Sequence, residues 1–262
     1  KTIWSFSSSG ENLSRPILDL QTGHLYFQNA QDTVFCLEAE SGKQVWLYTR
    51  NDAALITIRG AATPTLSEGQ IFVGFSDGTF VALKASNGQL NWEQSLNRNK
   101  KFRDVDAQAV IYKDSVIVSG YDDKVYSLNA KKGSLIWSYP AGSDVAATLK
   151  DNFLYIGSTE GSVLKLNAEN GDLVWTYKSV KGVPTQIVVF DDLIFFGESQ
   201  GGLTVLRDRD GKFLGKFEPG RGIFSKPYID EKKSEIYFIS GEAYLYHLKF
   251  IKSPLETFSF IH

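Results

Sequence analysis

The sequence predicts an all-β protein, a six-bladed β-propeller of four-stranded antiparallel blades, and two observations support this prediction. One phrase, Leu-x-Ala-x-x-Gly-x-x-x-Trp, occurs in four full copies, and two incomplete copies follow. The six copies begin at Leu37, Leu83, Leu128, Leu166, Leu206 and Leu248. Their spacing is 46, 45, 38, 40 and 42 residues, and a period near 40–45 built of short strands is typical of propeller blades.

Each repeat divides into four short apolar segments bounded by Gly, Asp and Asn, which is the pattern of strands joined by hairpins. In the fourth repeat the strands are predicted over residues 145–149, 153–157, 162–166 and 173–177. We expect residues 1–262 to form a single propeller domain with a C-terminal tail over residues 251–262. The repeats are expected approximately at residues 14–49, 61–95, 106–140, 145–178, 183–218 and 224–250.

Five of the six repeats are followed by their own fourth strand, so one fourth strand is missing from the order. We expect residues 2–6 to supply it, because they carry the tryptophan that the other copies do not account for, Trp4. This segment would pair with residues 244–248 and close the ring, which removes exposed sheet edges. Residues 257–260 in the tail are the alternative closing strand.

The five tryptophans are predicted to pack neighbouring blades together. Four of them end a full copy of the phrase, and a large side chain at one position per blade fits a structural role better than a cofactor site. In the fifth copy Gly215 stands where Trp is expected. The predicted blade-docking residues are Trp4, Trp46, Trp92, Trp137 and Trp175.

Composition and motifs exclude several function classes. The net charge is −2, whereas a general nucleic-acid binder usually has a basic excess. No apolar run approaches the roughly 20 residues of a membrane-spanning helix. The single cysteine, Cys36, and the three scattered histidines do not suggest a metal site, and no phosphate-binding loop or Gly-x-Ser-x-Gly motif is present. We therefore predict no catalytic residue, no cofactor and no metal.

Two crossings from the fourth strand of one blade to the first strand of the next are unusually long. They cover residues 49–60 and 95–104, leave the same face of the propeller and join consecutive blades. Long ordered loops in compact domains usually carry function. Apolar residues beside a guanidinium and carboxylates suit protein docking. The candidate partner-binding residues are Ile56, Ile58, Arg59, Asp104 and Asp106.

Structural interpretations of the same residues stay open. Ile56 and Ile58 fit the inward face of an extended first strand. Arg59 fits an intramolecular clamp with Asp104 or Asp106, and a clamp would also hold docking loops in shape. The basic run over residues 98–103 fits a solvated loop.

The repeated phrase resembles the repeat of quinoprotein-like, PQQ-type propellers, a superfamily of enzymes and non-enzymes. Two stretches resemble the BamB family more specifically: residues 56–64, Ile-Thr-Ile-Arg-Gly-Ala-Ala-Thr-Pro, and residues 103–106, Arg-Asp-Val-Asp. The segment from Gly197 through Tyr246 also resembles the last two blades of that family. The usual member has eight blades and this chain offers six, so either two blades are missing or the chain is a shorter relative.

This resemblance implies a non-enzymatic scaffold subunit of the outer-membrane β-barrel assembly machinery. The implied partners are the periplasmic repeats of the barrel-inserting protein, docked on the candidate residues above, and unfolded outer-membrane proteins. The implied location is the periplasmic face of the outer membrane. The chain starts at Lys1 without a signal pattern, so we expect any leader or lipid anchor to lie upstream.

Two other functions remain as alternatives. One is a small-ligand or quinone-binding propeller, although a single cysteine excludes the adjacent pair that usually lies beside PQQ, and no calcium-binding constellation is apparent. The other is a propeller interaction domain of a larger signalling protein.

Overall fold

The computed structural model describes residues 1–50, 61–96, 104–121, 124–178 and 181–250. These residues form 23 β-strands and no helix, and accordingly no helix among them is long and apolar enough to cross a membrane. The strands make six antiparallel sheets, and within each sheet the strands lie side by side in chain order. The prediction of an all-β propeller with six blades is confirmed.

The first sheet contains β1 (Ile17–Asp19), β2 (His24–Gln28), β3 (Thr33–Glu38) and β4 (Gln44–Thr49). The second contains β5 (Thr65–Ser67), β6 (Gln70–Gly74), β7 (Thr79–Lys84) and β8 (Leu90–Ser95). The third contains β9 (Val110–Tyr112), β10 (Ser115–Ser119), β11 (Val125–Asn129) and β12 (Leu135–Tyr139).

The fourth sheet contains β13 (Thr148–Lys150), β14 (Phe153–Gly157), β15 (Ser162–Asn167) and β16 (Leu173–Lys178). The fifth contains β17 (Val188–Phe190), β18 (Leu193–Gly197), β19 (Leu203–Arg207) and β20 (Phe213–Phe217). The sixth contains three strands, β21 (Tyr228–Asp230), β22 (Glu235–Ile239) and β23 (Leu245–Lys249).

The middle strands are buried on both faces because each sheet packs face to face against its neighbours. In β3 and β7 every residue except the last is buried. The fourth strands are outer strands, and β4, β8, β12 and β16 each bury one residue, the tryptophan. The hydrophobic core is therefore divided into clusters that lie between adjacent blades.

Each recurring phrase is the hairpin between the third and fourth strands of a blade. The register shifts by one residue at the phrase leucine, as at Cys36/Leu37 and Ala82/Leu83. The phrase glycine has a positive φ, +71° at Gly42 and +70° at Gly133, which glycine adopts without steric cost. The repeated spacing of the phrase thus encodes a bulged hairpin that points its tryptophan at the next blade.

Every described tryptophan makes the same two contacts with the following blade. Its indole lies over the phrase glycine, and its Nε1–H donates to the backbone carbonyl at the alanine position. For Trp46 the acceptor is Ala85 O at 2.9 Å, and a Cβ added at Gly88 would lie 2.6 Å from the ring. The other indole-to-carbonyl pairs are Trp4 with Ala39, Trp92 with Ala130, Trp137 with Ala168 and Trp175 with Asp208.

The closing strand differs from the prediction. Residues 2–6 form no strand, and β23 has no fourth strand beside it in the described residues. Trp4 lies over Gly42 of the first sheet, and Phe6 packs against Phe27 and Phe35 with ring centroids 6.1 and 5.5 Å apart. The aromatic side chains thus bury their area on the first sheet without backbone pairing to the last one. The alternative closing segment, residues 257–260, lies outside the described residues.

Candidate functional site

The predicted docking patch is only partly within the described residues. Ile56, Ile58 and Arg59 lie outside them, as does most of both long crossings. Asp104 and Asp106 are described and lie at the end of the second crossing, shortly before β9. The strands of each sheet lie side by side in chain order, so successive turns lie on alternate faces of the propeller. Asp104 and Asp106 therefore lie on the same face as the turns between the second and third strands of the blades.

The segment around Asp104 is held firmly between the second and third blades. Asp104 is 1% exposed, and its backbone carbonyl accepts a hydrogen bond from Tyr121 N at 3.2 Å. Val105 is fully buried, and its N–H donates to Phe75 O at 3.2 Å. A Cβ added at Gly74 would lie 2.0 Å from Val105 O, so only glycine allows this approach. The Asp104 side chain is therefore closed off from solvent between the two blades.

Asp106 is half-buried and lies among other carboxylates. Burial, reinforced by the charges of Asp104, Asp32 and Asp144, raises the pKa of Asp106 to about 7. Burial also raises the pKa of Asp32, although hydrogen bonds from Ser76 N and Oγ oppose this shift. A positive charge placed beside these carboxylates would relieve the repulsion that raises the pKa of Asp106. The cluster therefore favours the approach of a cationic group.

Asp106 also lines the central channel, where the inner strands of the blades meet. The cavity there has a volume of about 280 Å³. Its other lining residues come from five blades and include Thr63, Gln108, Asp144, Gln186, Phe224 and Lys226. Burial, followed by the charge of Arg15, lowers the pKa of Lys226. The channel mouth thus combines three kinds of polar group, namely carboxylates, amides and one ammonium.

A clamp between blades does exist at the start of the first crossing, but it uses Arg50. Its Nε lies 2.8 Å from Asp77 Oδ2, and its second guanidinium nitrogen lies 2.9 Å from Glu93 Oε2. Burial lowers the pKa of Arg50, but the bond to Glu93 and the charge of Asp77 outweigh this and raise it. The crossing is therefore anchored to the second blade where it begins.

Sequence reasoning missed Arg50, Asp32 and Asp144. Arg50 directly follows a predicted fourth strand and stands at the start of a long crossing. That position could have identified it from the sequence as a residue that anchors the crossing. Asp32 lies in a hairpin turn with φ +52°, where an aspartate is ordinarily a turn residue. Only the ring geometry brings it near Asp106. In the parts of the chain that the structure covers, no group of His, Cys, Asp or Glu is arranged to hold a metal ion.

Fold and repeat together define a β-propeller of the PQQ-repeat class. Within that class the chain belongs to the family of the outer membrane protein assembly factor BamB, whose sequence model matches residues 1–177 and 109–246. The family resemblance expected from the motifs is therefore confirmed.

Named relatives agree with this family. The assembly factor BamB of Nitrosomonas eutropha is 29% identical over 230 residues, covering 84% of this chain and 55% of the relative. The BamB of Shewanella oneidensis is 23% identical over 251 residues, covering 92% of this chain and 62% of the relative. The chain thus spans less than two thirds of the length of these relatives.

Solved structures confirm the fold. The crystal structure of BamB from Moraxella catarrhalis superposes with a TM-score of 0.80 at 19% identity, over 95% of this chain and 75% of that one. A sequence match also exists to the quinoprotein alcohol dehydrogenase PedH of Pseudomonas putida, 26% identical over 159 residues. That match covers 53% of this chain and 25% of the dehydrogenase, so it reflects the shared repeat.

Proposed function

We propose that this chain, as a single propeller domain, is a non-enzymatic scaffold subunit of the outer-membrane β-barrel assembly machinery. The observation that carries the proposal is the match of the BamB family model, whose two segments together span residues 1–246. The relatives that cover most of this chain are named outer membrane protein assembly factors. The subunit would act at the periplasmic face of the outer membrane, held there only by a lipid anchor upstream of Lys1.

The partner is the barrel-inserting outer-membrane protein, bound through its periplasmic repeats. The docking surface is the face of the two long crossings and comprises Ile56, Ile58, Arg59 and Asp106, with the buried Asp104 beneath it. Two features support this location: the first crossing is anchored by Arg50, and the carboxylates of Asp32, Asp106 and Asp144 lie close together on the same side. Asp104 holds the loop in shape from inside, whereas Asp106 and Arg59 meet the partner. Bound there, the subunit would assist the delivery of unfolded outer-membrane proteins.

Binding to the purified periplasmic repeats of the barrel-inserting protein tests this function. We expect Arg59→Ala to weaken binding by about 2 kcal/mol, roughly 30-fold, because arginine is a frequent hot spot. Asp106→Asn should weaken it less, since Asp106 is only partly charged near pH 7. Lys132→Ala, an exposed change on the opposite face, is the matched control.

Thermal melts of the same variants separate docking from clamping. Retained stability with lost binding supports docking. An equal loss of both assigns Arg59 to an internal clamp. No measurable binding by the unchanged chain would overturn the proposed function itself.

Incubation with PQQ and calcium addresses the alternative of a quinone-binding propeller. We expect no chromophore to remain with the protein after gel filtration. A stoichiometric bound chromophore would contradict the scaffold function in favour of a ligand-binding one.

A further inference from the structure

Grooves form between neighbouring blades on the face opposite the long crossings. Each groove lies between the turns that join the first two strands of adjacent blades. Between the second and third blades, Lys131 reaches across to Glu68, with Nζ 3.7 Å from Oε2, and Gln70 Nε2 donates to Ala130 O at 3.2 Å. The space left in that groove is only about 10 Å³.

The next groove, between the third and fourth blades, is bridged in the same way. Tyr112 donates through its hydroxyl to Asn152 Oδ1 at 3.0 Å, and Lys113 forms an ion pair with Glu169. Glu169 occupies the position after the phrase alanine, as Lys131 does one blade earlier. A long side chain at this position therefore bridges both grooves, leaving about 140 Å³ in the second of them.

The groove between the first and second blades is open. Its volume is about 790 Å³, although its floor is built alike, with Tyr26 donating to Ala85 O at 3.2 Å. The difference lies at the position after the phrase alanine, where Ser86 is too short to reach the first blade. No bridging ion pair is found across this groove among the described residues.

Apolar side chains and negative charge line the open groove. Leu20 is 87% exposed and Leu18 is 46% exposed, which is costly for side chains that contact only water. Two carboxylates, Asp19 and Glu68, also line it, and Glu68 already pairs with Lys131. None of the described residues that line the groove is a lysine or an arginine. A hydrogen bond from Thr22, then one from Gln21 N, lowers the pKa of Asp19, so this carboxylate is ionised at neutral pH.

We propose that this groove docks a short extended segment of another protein, with an aliphatic or aromatic side chain in the groove and a lysine or arginine beside it. The apolar side chain would cover Leu18 and Leu20, and the basic one would meet Asp19. Charge complementarity selects this occupant, because no lysine or arginine is found beside the Asp19 carboxylate among the described residues that line the groove. The site lies on the other face from the crossings, so one subunit would hold two partners at once.

Selection from a phage-displayed library of random 12-residue peptides on the immobilised full chain tests this proposal. We expect the enriched peptides to place an aliphatic or aromatic residue next to Lys or Arg. A synthetic peptide of the enriched sequence is then measured by fluorescence polarisation. Ser86→Lys, which copies the closed neighbouring groove, should weaken its binding at least tenfold, and Leu20→Ser should also weaken it.

Glu169→Ser is the matched control, since it removes the bridge of the groove between the third and fourth blades and leaves this one unchanged; binding should stay within twofold. Equal binding to Ser86→Lys and the unchanged chain would overturn the proposal, as would no enrichment or an acidic consensus. A dimer that Ser86→Lys dissociates would assign the groove to a second copy instead. Because Ser86→Lys leaves the crossing face intact, binding to the periplasmic repeats tests the proposed function separately.

Discussion

At the residue scale, one charged pair replaces the small residues that the first three blade interfaces use. Asp208 stands where the full copies of the phrase have alanine, and Lys165 faces it from the preceding blade. Lys165 Nζ lies 2.6 Å from Asp208 Oδ1 and 4.3 Å from the centre of the Phe153 ring. The Tyr155 hydroxyl donates to the same carboxylate oxygen at 2.7 Å. The Lys165 side chain is only 6% exposed, so its charge depends on this partner.

We expect Asp208→Ala to lower the free energy of unfolding by about 3 kcal/mol, because it leaves a buried ammonium without its counter-charge. Lys165→Ala combined with Asp208→Ala should recover part of this loss, since Ala82 and Ala130 form the corresponding pair between the second and third blades. Urea denaturation of the single and double variants measures both effects. Lys212→Ala, an exposed change in the same turn, should have little effect; additive losses in the double variant would contradict the pairing.

Asp106 makes stability depend on pH. Its pKa is raised to about 7 in the folded state, so the folded protein binds a proton that the unfolded chain has released above about pH 4. The folded state is therefore favoured at low pH by this group and loses stability as the pH rises through 7. Asp106→Asn should stabilise the protein by roughly 1–3 kcal/mol at pH 8 and change little at pH 4.

Melting temperatures of the Asp106→Asn variant and the unchanged chain between pH 4 and pH 8 test this dependence. Glu40→Gln, at an exposed turn position, serves as the control and should shift neither curve. Stabilisation that is equal at both ends of the range would show that packing, and not ionisation, causes the effect.

At the element scale, the contact between tryptophan and glycine joins consecutive blades. The glycine is needed twice over, once for its positive φ and once because a side chain would meet the indole. At Gly133 an added Cβ would lie 2.6 Å from the Trp92 ring, whereas at Gly69, with φ +72°, nothing lies within 4 Å. The two positions therefore separate backbone strain from overpacking.

Gly69→Ala should cost about 1 kcal/mol of unfolding free energy through backbone strain alone. Gly133→Ala should cost roughly 1–3 kcal/mol more, because the new methyl group displaces the Trp92 indole. Chemical denaturation of both variants measures the difference. In a Trp92→Ala background the extra cost should vanish, and its persistence there would exclude the indole as the cause.

The interface between the fifth and sixth blades is packed by a different aromatic side chain. Gly215 replaces the tryptophan, and Phe250 replaces the phrase alanine of the next blade. The Phe250 ring lies 5.6 Å from Phe190 and 5.3 Å from Phe195. The aromatic group that packs these blades together thus comes from the following blade.

At the scale of the whole molecule, the N-terminal segment covers the face of the first sheet that points away from the second blade. Deleting residues 1–6 should lower the free energy of unfolding by roughly 2–4 kcal/mol, because it removes Trp4 from Gly42 and Phe6 from Phe27 and Phe35. Hydrogen exchange should then accelerate in β3 and stay unchanged in β23. Ile3→Ser, at a side chain 88% exposed, is the control and should change neither.

Faster exchange in β23 after this deletion would instead support the pairing that the sequence predicted. A melting temperature unaffected by the deletion would contradict any structural role for the segment.

The sequence by itself determined the all-β class, the number of blades and the recurring position of the tryptophans. It could do so because the phrase encodes local geometry: a bulged hairpin, a left-handed glycine and an outward-pointing indole all follow from spacing within about ten residues. The two aspartates of the candidate site were also identified from sequence, as residues at the end of a long crossing.

Only the tertiary structure decided how those local units meet. It placed Asp104 inside while leaving Asp106 at the channel, since neighbouring blades close over one side chain and not the other. It brought Asp32 close to Asp106 across more than 70 residues of sequence, and it left Ser86 too short to bridge the first groove. It laid residues 2–6 on the first sheet, because burial of two aromatic rings there requires no strand pairing. The distances between residues of different blades depend on how all the blades are arranged, so they cannot be predicted from a sequence pattern within one repeat.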